Sequence, residues 1–525
     1  MNPVAAWLIL VLTAGVLGLL LPFASHRTHL LFLSRRKRKA TRVPWPEEEL
    51  PRVTVQVPLY NERGVVERVV DAACALDYPK HLLEVQILDD STDETRLLAA
   101  RLCALWRRRG VRVRHLRRGG RAGFKAGALA WGAARAQGEF FLVLDADFRP
   151  PPELIRKLLP PFRDRGVGMV QARWGHLNAG ENVLTRAQSF LLDGHFAFEQ
   201  GGRYAGDRFF NFNGTAGMWR RTCLEEAGGW QSDTLTEDLD LSYRAQMAGW
   251  RFVYLDDVEV PAEIPSRVEA LYVQQQRWAQ GGVETARKIL PTLLRSSLPL
   301  PVKAEATVHL LGHLAHPLTV LLAVLLLPSA MARRGLALDG LMSLDVLVFL
   351  LATGPFLAFY GAAGRRRRRG LWEVVTGVPL TLAVGVGLSV PVSRAVWKGL
   401  CGVKEPFRRT PKTGGGGRRL YRDARCGPEL AAQFAMAALM VGYLAAALAM
   451  GYWASVPFVL LFLVGFGLPV LEGLRGMAWR GLLHAARCMT RTGPRSLRRE
   501  AGAEAPDPST GGLRPGGAGR APGPT

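Results

Sequence analysis

The chain has 525 residues, of which 48% are hydrophobic and 21% are charged. It can therefore hold a soluble domain of ordinary size together with several membrane-spanning segments. Lysine and arginine number 68 against 44 aspartates and glutamates, a net charge of +24 that could indicate nucleic-acid binding. The basic residues, however, cluster beside apolar runs, at Arg35–Lys39, at Arg365–Arg369 and from Arg475 onward. Such clusters are typical of the cytoplasmic loops of membrane proteins, so we predict no nucleic-acid partner.

Six cysteines lie far apart in the chain, at positions 74, 103, 223, 401, 426 and 488. No two are close enough in sequence to suggest a zinc site or a disulfide framework. We interpret them as reduced thiols facing a cytosol.

The first apolar segment, residues 4–24, carries no charge and is long enough to cross a hydrocarbon core about 30 Å thick. Its positive charges follow the segment, beginning at Arg27, whereas a secretory signal carries them in front. We therefore predict a transmembrane helix with its N-terminus outside and the next domain, residues 43–300, in the cytoplasm. The protein is predicted to be a multi-pass protein of the cell (inner) membrane.

Between about residues 50 and 260, short apolar runs alternate with helical patterns, which favours βαβ units and a mainly parallel sheet. Three such runs, Val53–Val57, Val85–Leu88 and Phe140–Leu144, are predicted strands. Asp89-Asp90 follows the second and Asp145-Ala146-Asp147 follows the third. Carboxylates at this edge of a sheet suit a divalent cation that bridges the phosphates of a nucleotide. The alternative is a pair of ordinary turns.

Two further segments of the domain are basic. Residues 107–121 alternate arginines with Val111, Val113 and Leu116, which indicates an edge strand whose charges block pairing with other chains. Gly123–Leu129 then opens a helix with glycines and Lys125, a combination that suits an anionic group.

Thr236-Glu237-Asp238 has the pattern of a helix start, with Thr236 as the N-cap. Glu237 and Asp238 would then lie in the first turn, where the helix dipole favours ionised carboxylates. An ionised Asp238 could act as a general base toward a sugar hydroxyl. The alternative is a capping arrangement without catalytic role.

Gln274–Trp278 is predicted to be helical, which puts Gln274, Arg277 and Trp278 on one side. Trp174 and His176 follow a predicted strand at 167–170 and are candidates to line a sugar groove. Each pattern has a structural alternative. For 274–278 it is an interfacial helix with a snorkelling arginine and an anchoring tryptophan, and for Trp174 it is a buried tryptophan with its N–H satisfied.

In this order, the motifs at 89–90, 145–147, 236–238 and 274–278 resemble those of processive family 2 glycosyltransferases, the cellulose synthase-like group. Membrane segments flank them as in that group. Phe212–Arg220 and the residues around Thr236 look most like β-mannan and glucomannan synthases.

The resemblance implies an α/β GT-A domain inserted between transmembrane helices. It implies transfer with inversion from a nucleotide sugar, GDP-mannose or UDP-glucose, to a growing β-linked polysaccharide, with Mg²⁺ or Mn²⁺ as cofactor. These residues do not reveal which donor is used. The roles it implies are a catalytic pair, Asp238 with Glu237; a metal site, Asp145 and Asp147; donor contacts, Tyr60, Glu62, Asp89, Asp90, Lys125, Asp145, Gln274 and Arg277; and acceptor contacts, Trp278, His176, Asn213 and Gly214.

The C-terminal half is predicted to enter the lipid bilayer. Residues 305–364 contain two predicted spans, 307–331 and 346–364, and 429–473 contain two more that turn back near Gly451. His309, His313 and His316 would share one face of the first span and are interpreted as polar contacts or a channel mouth. Basic residues put both ends of the 429–473 hairpin inside, so residues 374–393 are predicted to lie along the interface or re-enter. The tail at 494–525 is predicted to be disordered.

Residues 371–428 would therefore contain an interfacial or re-entrant segment followed by a loop. Phe407, Thr410 and Lys412 match a loop that in cellulose synthases closes over the nucleotide, although Arg409 departs from that pattern. A plain basic loop is the alternative. Two rival functions remain: transfer of a single sugar to a lipid, and a transporter whose soluble domain only binds nucleotide.

Overall fold

The structure is a computed structural model that describes residues 2–36, 38, 40–338, 343–405, 409–410 and 428–491. Two compact units are distinguished, Met1–Gly473 and Leu474–Thr525.

The soluble domain is built on a seven-stranded sheet with strand order β3-β2-β1-β4-β6-β5-β7. The strands are β1 Val53–Leu59, β2 Leu83–Asp89, β3 Val113–Leu116, β4 Phe140–Val143, β5 Val167–His176, β6 Gly217–Arg220 and β7 Arg251–Ala262. Nine helices accompany them: α2 Val66–Cys74, α3 Thr95–Arg108, α4 Phe124–Ala133, α5 Leu154–Leu158, α6 Val183–Gly194, α7 Gly201–Ala205, α8 Arg221–Glu226, α9 Glu237–Met247 and α10 Val268–Arg295. A π-helical turn, His195–Gln200, joins α6 to α7.

The sheet is mixed. β1, β2, β3 and β4 run parallel, whereas β6 is antiparallel to both of its neighbours, β4 and β5. The predicted parallel strands are confirmed, and β1, β2 and β4 are buried on both faces. β4 is a continuous apolar run, whereas β1 and β2 alternate apolar residues with buried polar ones such as Gln56 and Gln86. β3 is an edge strand, as its alternating arginines predicted.

From β1 the chain moves outward to β2 and then β3, and it returns to the other side of β1 with β4. The strand order thus reverses between β1 and β4, and open α/β sheets bind their ligands at this kind of position. Leu59 at the end of β1 pairs with Asp89 at the end of β2, so both strands end at the same edge, as predicted.

The membrane half consists of α1 Pro3–Leu33, α11 Leu300–Leu310, α12 Ala315–Gly335, α13 Ser343–Arg366, α14 Leu371–Cys401, α15 Pro428–Ala449 and α16 Val456–Arg491. Five segments in the described residues are long and apolar enough to cross a membrane: Pro3–Leu33, Gly312–Gly335, Leu371–Cys401, Pro428–Ala449 and Trp453–Leu474. The chain is therefore a multi-pass membrane protein. The predicted turn of the last hairpin is confirmed at Gly451, whose φ is +74°.

The three histidines of the first predicted span do not share one helix, contrary to our prediction. α11 ends at Leu310, a 3₁₀ turn covers Gly312–Leu314, and α12 begins only at Ala315. His309 is nevertheless a polar contact, because its Nδ1 lies 2.8 Å from the hydroxyl of Tyr243.

Helix α14 is continuous, without a turn between its ends, and both ends lie close to the soluble domain. Before α14 begins, Arg369 pairs with Asp193 of α6 at 2.5 Å. After it ends, the side-chain amide of Gln280 in α10 donates to the carbonyl oxygen of Val403 at 2.8 Å. Whether α14 crosses the bilayer or lies along its surface stays a prediction.

Candidate active site

Four residues from four parts of the chain meet at the edge where β1 and β4 end. The Nζ of Lys125, in α4, donates to Oδ1 of Asp145 at 2.6 Å and to the carbonyl oxygen of Gly214 at 2.9 Å. Gly214 also lies against Asp238, since a Cβ on this glycine would be 2.8 Å from Asp238 Oδ2. The φ of Gly214 is +79°, so both its conformation and this close approach favour glycine.

Helix α9 positions Asp238 in its first turn, as predicted. Thr236 occupies the N-cap position, but its hydroxyl contacts the hydroxyl of Thr285 at 3.2 Å and makes no capping bond. α10 packs tightly here because Gly281 lies under Thr236: a Cβ on Gly281 would come within 2.7 Å of the threonine side chain. The two predicted helical motifs, at 236–238 and 274–278, are therefore parts of one packed unit.

The protonation of Asp238 differs from our prediction. We expected the helix start to keep this carboxylate ionised, but burial and the neighbouring charge of Glu237 raise its pKa to about 7. The positive charges of Lys125 and Arg277 act in the opposite direction and are outweighed. A carboxylate with this pKa exchanges a proton readily near neutral pH, which suits a general base.

The carboxylates at the end of β2 are both held by residues of the neighbouring basic segment. His115 Nε2 lies 2.8 Å from Asp89 Oδ2, and Arg118 donates two hydrogen bonds to Asp90, at 2.8 and 2.6 Å. Burial alone would raise the pKa of Asp89, but the hydrogen bonds from His115 and Ser91 outweigh it and lower the pKa. We had interpreted this basic segment only as a solvated edge, so its contacts with the site were missed.

The adjacent end of β1 carries an aromatic platform. The guanidinium of Arg121 lies 3.4 Å from the centre of the Tyr60 ring, a cation–π contact. The strand ends are tied together by Asn61, whose backbone N–H donates to Ser91 Oγ and whose side chain accepts from the backbone of Thr92. Tyr60, Asp89 and Asp90 are thus gathered at one end of the site.

Arg277 enters the site from α10. It faces Asp238 closely enough to influence the carboxylate's pKa, and it also lines a cleft against α14 together with Lys398 and Glu405. Gln274 and Trp278 lie on the same helix and are half-buried. Of the 274–278 motif, Arg277 is thus the residue whose charge acts on Asp238.

Comparison with known families decides what this domain is. Residues 51–281 match the model of a family described as glycosyltransferase like family 2. The matched range contains all the residues just described around Tyr60, Asp145, Asp238 and Arg277. We call residues 51–281, the part of the chain that matches this model, the family 2 domain.

Similar proteins are known from plants. Glucomannan 4-beta-mannosyltransferase 2 of Arabidopsis thaliana is 41% identical over 251 residues, 47% of this chain and 47% of that protein. Glucomannan 4-beta-mannosyltransferase 1 of Oryza sativa subsp. japonica is 40% identical over 271 residues, 50% of this chain and 52% of that protein. The chain thus spans about half the length of the curated relatives it matches.

The fold is similar to that of a solved structure, mannosyltransferase PcManGT from Pyrobaculum calidifontis in complex with GDP-Man and Mn²⁺. The TM-score is 0.51 at 21% identity, over 77% of this chain and 100% of that chain. Together with the mixed sheet, this similarity shows that the family 2 domain has the predicted GT-A fold.

The predicted metal ligands of the family 2 domain lie where β4 ends. Asp145 and Asp147 follow the strand directly, and the backbone N–H of Asp145 donates to Thr215 Oγ1 at 2.8 Å. Within the described part of the chain, no group of three or more His, Cys, Asp or Glu residues could hold a metal ion by itself. Two carboxylates nevertheless fit Mg²⁺ or Mn²⁺, because such ions commonly take their remaining ligands from substrate phosphates and water.

Two predicted acceptor residues have different surroundings. His176 lies within β5, not beyond it, and its Nε2 is 3.2 Å from Asp193, which itself pairs with Arg369. Trp174 packs edge-on against Phe148. The contact of His176 favours a structural role. Trp174 is half-buried and its Nε1 has no hydrogen-bond partner among the described residues, so the alternative of a buried tryptophan with its N–H satisfied is not met. Asn213, by contrast, directly precedes Gly214 at the centre of the site.

A residue that we did not predict, His195, contacts the loop at Asn213 and Gly214, which we call the acceptor loop because acceptor contacts are predicted there. His195 opens the π-helical turn, with Nε2 3.0 Å from Asn213 Oδ1 and Nδ1 2.8 Å from Glu199. Burial lowers the pKa of His195 to about 4, so it is neutral at physiological pH. Glu199 in turn forms an ion pair with Arg27 of α1, which links the loop to the first membrane helix. The one signal that could have drawn attention to His195 is its position at the start of a π-helix, because such turns often occur at functional sites.

The segment after α14 reaches the end of β1. Arg409 Nη1 lies 3.0 Å from Glu62 Oε2 and also contacts the carbonyl oxygen of Asn61. Thr410 is buried, and its Oγ1 has no hydrogen-bond partner among the described residues. Phe407 and Lys412 lie outside the described residues. Arg409, the residue that departs from the cellulose synthase pattern, is therefore the one that contacts the family 2 domain.

Proposed function

We propose that this protein is an inverting membrane glycosyltransferase that transfers a sugar from a nucleotide sugar to a growing β-linked polysaccharide. The observation that carries the proposal is the meeting of Asp238, Gly214, Lys125 and Asp145 at the switch point of a GT-A sheet. A carboxylate with a near-neutral pKa lies near a lysine that binds Asp145, one of two aspartates that could hold a divalent cation on a diphosphate.

Each residue then has a chemical role. Asp238 takes the proton from the attacking hydroxyl of the acceptor as the oxygen bonds to the anomeric carbon from the face opposite the diphosphate. The nucleoside diphosphate leaves, and the configuration inverts. Lys125 and Arg277 supply positive charge near the leaving group, and Asp89, Asp90 and Tyr60 contact the nucleoside. Glu237 keeps the pKa of Asp238 high enough for the proton to be taken.

Asp145 and Asp147 would hold a divalent cation, which would neutralise charge developing on the departing diphosphate. Thr410 and Lys412 would add a hydroxyl and a charge from the segment docked by Arg409 and would exclude water. On the acceptor side, Asn213 and Gly214 would contact the sugar, and Trp278 offers a ring face for stacking. Gln274 would assist Arg277 on the donor side.

The names of the plant relatives favour a mannosyl donor, so we propose GDP-mannose as the first donor to test and UDP-glucose as the second. The basic ends of the membrane helices favour a family 2 domain that faces the cytoplasm at the cell membrane. These assignments concern the whole protein and rest on similarity over about half its length.

The test is product length. Purified protein in lipid nanodiscs would be incubated with radiolabelled GDP-mannose or UDP-glucose, and the product separated into polymer and organic-extractable lipid. We expect polymer that a β-mannanase degrades. A single labelled sugar that extracts with lipid would favour the lipid transferase instead. Donor binding without any transfer would favour the transporter.

A further inference from the structure

A second cavity lies against β7, which is the edge strand opposite to β3 in the sheet. Its volume is about 850 Å³, and it shares no lining residue with the catalytic site. The end of α1, the linker after it, α7, β7 and the end of α13 all contribute to its wall. Nothing in the proposed reaction uses it.

The lining of this cavity is strongly basic. It contains seven arginines and two aspartates, Asp256 and Asp257. Four of the arginines come from the N-terminal segment, Arg35, Arg36, Arg38 and Arg42, and two from the end of α13, Arg366 and Arg367. The seventh lies on β5. Positive charge therefore exceeds what the cavity's own carboxylates can neutralise.

Among the described residues, five of the seven arginines pair with carboxylates, which leaves two guanidinium groups, those of Arg35 and Arg36, uncompensated. Arg38 pairs with Asp207, and Arg173 pairs with Glu259. Asp256 is shared by Arg366 at 3.0 Å and Arg367 at 2.7 Å, while Asp257 pairs with Arg42 at 2.6 Å. Arg35 and Arg36 are exposed, and neither has an ion-pair partner in the described part of the chain. Guanidinium groups bind phosphate oxygens through paired N–H donors, so this wall suits a phosphate ester.

The cavity also lies at a defined height relative to the membrane. Arg35 and Arg36 lie just after α1, an apolar helix long enough to cross the bilayer. Arg366 ends α13, which the sequence predicts as a span but which is not among the five candidate spans of the described residues. The end of one candidate span thus lies at the cavity, which favours a position at the polar surface of the bilayer. Phospholipid phosphates lie at this level, and anionic lipids are attracted to basic residues there. Its volume is within the range of pockets that bind small molecules.

We propose that this cavity binds the headgroup of an anionic phospholipid between the ends of α1 and α13. The same guanidinium chemistry would accept a soluble phosphate ester, so the experiment must separate the two sources. The proposal does not depend on the sugar-transfer reaction, because the two sites share no residue.

Arg35→Gln combined with Arg36→Gln is the most direct variant, because both side chains are exposed and unpaired, so the fold should be retained. Arg107→Gln combined with Arg108→Gln, two exposed residues at the end of α3, is the matched control with the same loss of charge. Delipidated protein in neutral detergent would be titrated with phosphatidylglycerol or phosphatidylcholine and examined by native mass spectrometry. Glycerol 3-phosphate and inorganic phosphate would be added as soluble competitors.

We expect one phosphatidylglycerol bound saturably to the wild type and to the control, with phosphatidylcholine bound much more weakly. Binding to the Arg35/Arg36 variant should weaken about tenfold or more, since each basic residue near a membrane surface contributes about a fivefold factor. Equal phosphatidylglycerol binding by all three proteins would overturn the proposal. So would a soluble phosphate that binds as tightly as the lipid and displaces it, because the occupant would then come from solution.

Discussion

Asp238 has the surroundings of a base that must work near neutral pH. It touches Gly214 of the acceptor loop, and two cations, Lys125 and Arg277, lie on its donor side. Burial and Glu237 together bring its pKa to about 7. An ordinary exposed aspartate would be ionised but a weak base, whereas this one is ionised in part and a stronger base.

Glu237→Gln tests the origin of that pKa. The substitution removes a negative neighbour, so the pKa of Asp238 should fall. Since the base must be ionised, transfer rises with pH through the pKa, and the acid limb of kcat/KM should therefore move to lower pH. Profiles between about pH 5 and 9 would measure it. Glu225→Gln, an exposed change on α8, is the control, and an unmoved limb in Glu237→Gln would show that the residues do not interact.

Asp147→Ala tests the metal site. A carboxylate that shares a cation with the diphosphate acts through that cation, so this variant should weaken donor binding only when Mg²⁺ or Mn²⁺ is present. Donor affinity would be measured by calorimetry with and without chelator, next to the exposed control Asp77→Ala. The assignment would be contradicted if neither the chelator nor the substitution changed the donor affinity.

Sequence motifs were sufficient to find Lys125, Asp145 and Asp238, because each lies at a strand end or helix start that local pattern reveals. They could not reveal His115, Arg118 or His195. The partners of these residues are brought together by pairing of β2 with β3 and by the packing of the π-helical turn on the acceptor loop. The raised pKa of Asp238 was missed for a related reason. The position of a residue in a helix can be read from the local sequence, but desolvation depends on which distant residues pack around the carboxylate.

At the scale of elements, the site is assembled from strand ends and three connections between elements. Each connection is held in place by a basic side chain. Arg118 ties the β3–α4 connection to Asp90, and Lys125 ties α4 to the acceptor loop. Arg409 ties the segment after α14 to Glu62. A residue that follows the membrane helix α14 therefore contacts the end of β1.

That segment gives a prediction for Thr410→Ala and Lys412→Ala. If Thr410 and Lys412 contact the diphosphate and exclude water, either variant should lower transfer far more than it lowers membrane insertion or thermal stability. Thr222→Ala and Lys157→Ala, remote from the site, are matched controls. Turnover would be measured at saturating and at limiting donor. Wild-type turnover in both Thr410→Ala and Lys412→Ala would reduce the segment to a basic loop.

The buried strands β1, β2 and β4 could be predicted from the sequence. Short segments rich in valine, isoleucine, leucine and phenylalanine indicate a strand without knowledge of the neighbouring strands. The end of β5 could not be predicted in this way. Arg173–His176 is half polar, and it remains in the sheet because Arg173 to His176 pair with Glu259 to Ala262 of β7. The reversed direction of β6 is likewise set by its neighbours β4 and β5 and leaves no local pattern.

For the whole molecule, the path of α14 decides on which side of the membrane each later connection lies. Its length and composition would allow it to cross. Yet Arg369 before it and Arg409 after it both pair with residues of the family 2 domain, Asp193 and Glu62. These contacts agree with the prediction, made from charge and parity, that 374–393 lies along the interface or re-enters and that both of its ends face the cytoplasm, which stays a prediction.

Cysteine labelling tests this path. Single cysteines near positions 40, 368 and 415 should resist a membrane-impermeant thiol reagent in intact cells, whereas one near 452 should react. Position 415 lies outside the described residues. The exposed native Cys401 must first be replaced, with Cys426 and Cys488, and labelling after permeabilisation is the control. Labelling at 415 from outside would mean that α14 crosses the bilayer.

The central claim, that Asp238 is the base of a sugar transfer, is tested most directly by Asp238→Asn. The substitution keeps the shape of the side chain and removes the base. Transfer from the donor that the wild type uses should fall by about 10² to 10⁴, while donor binding stays close to that of the wild type. Asp233→Asn, an exposed change on the preceding loop, should leave both unchanged. Normal turnover in Asp238→Asn would contradict the account.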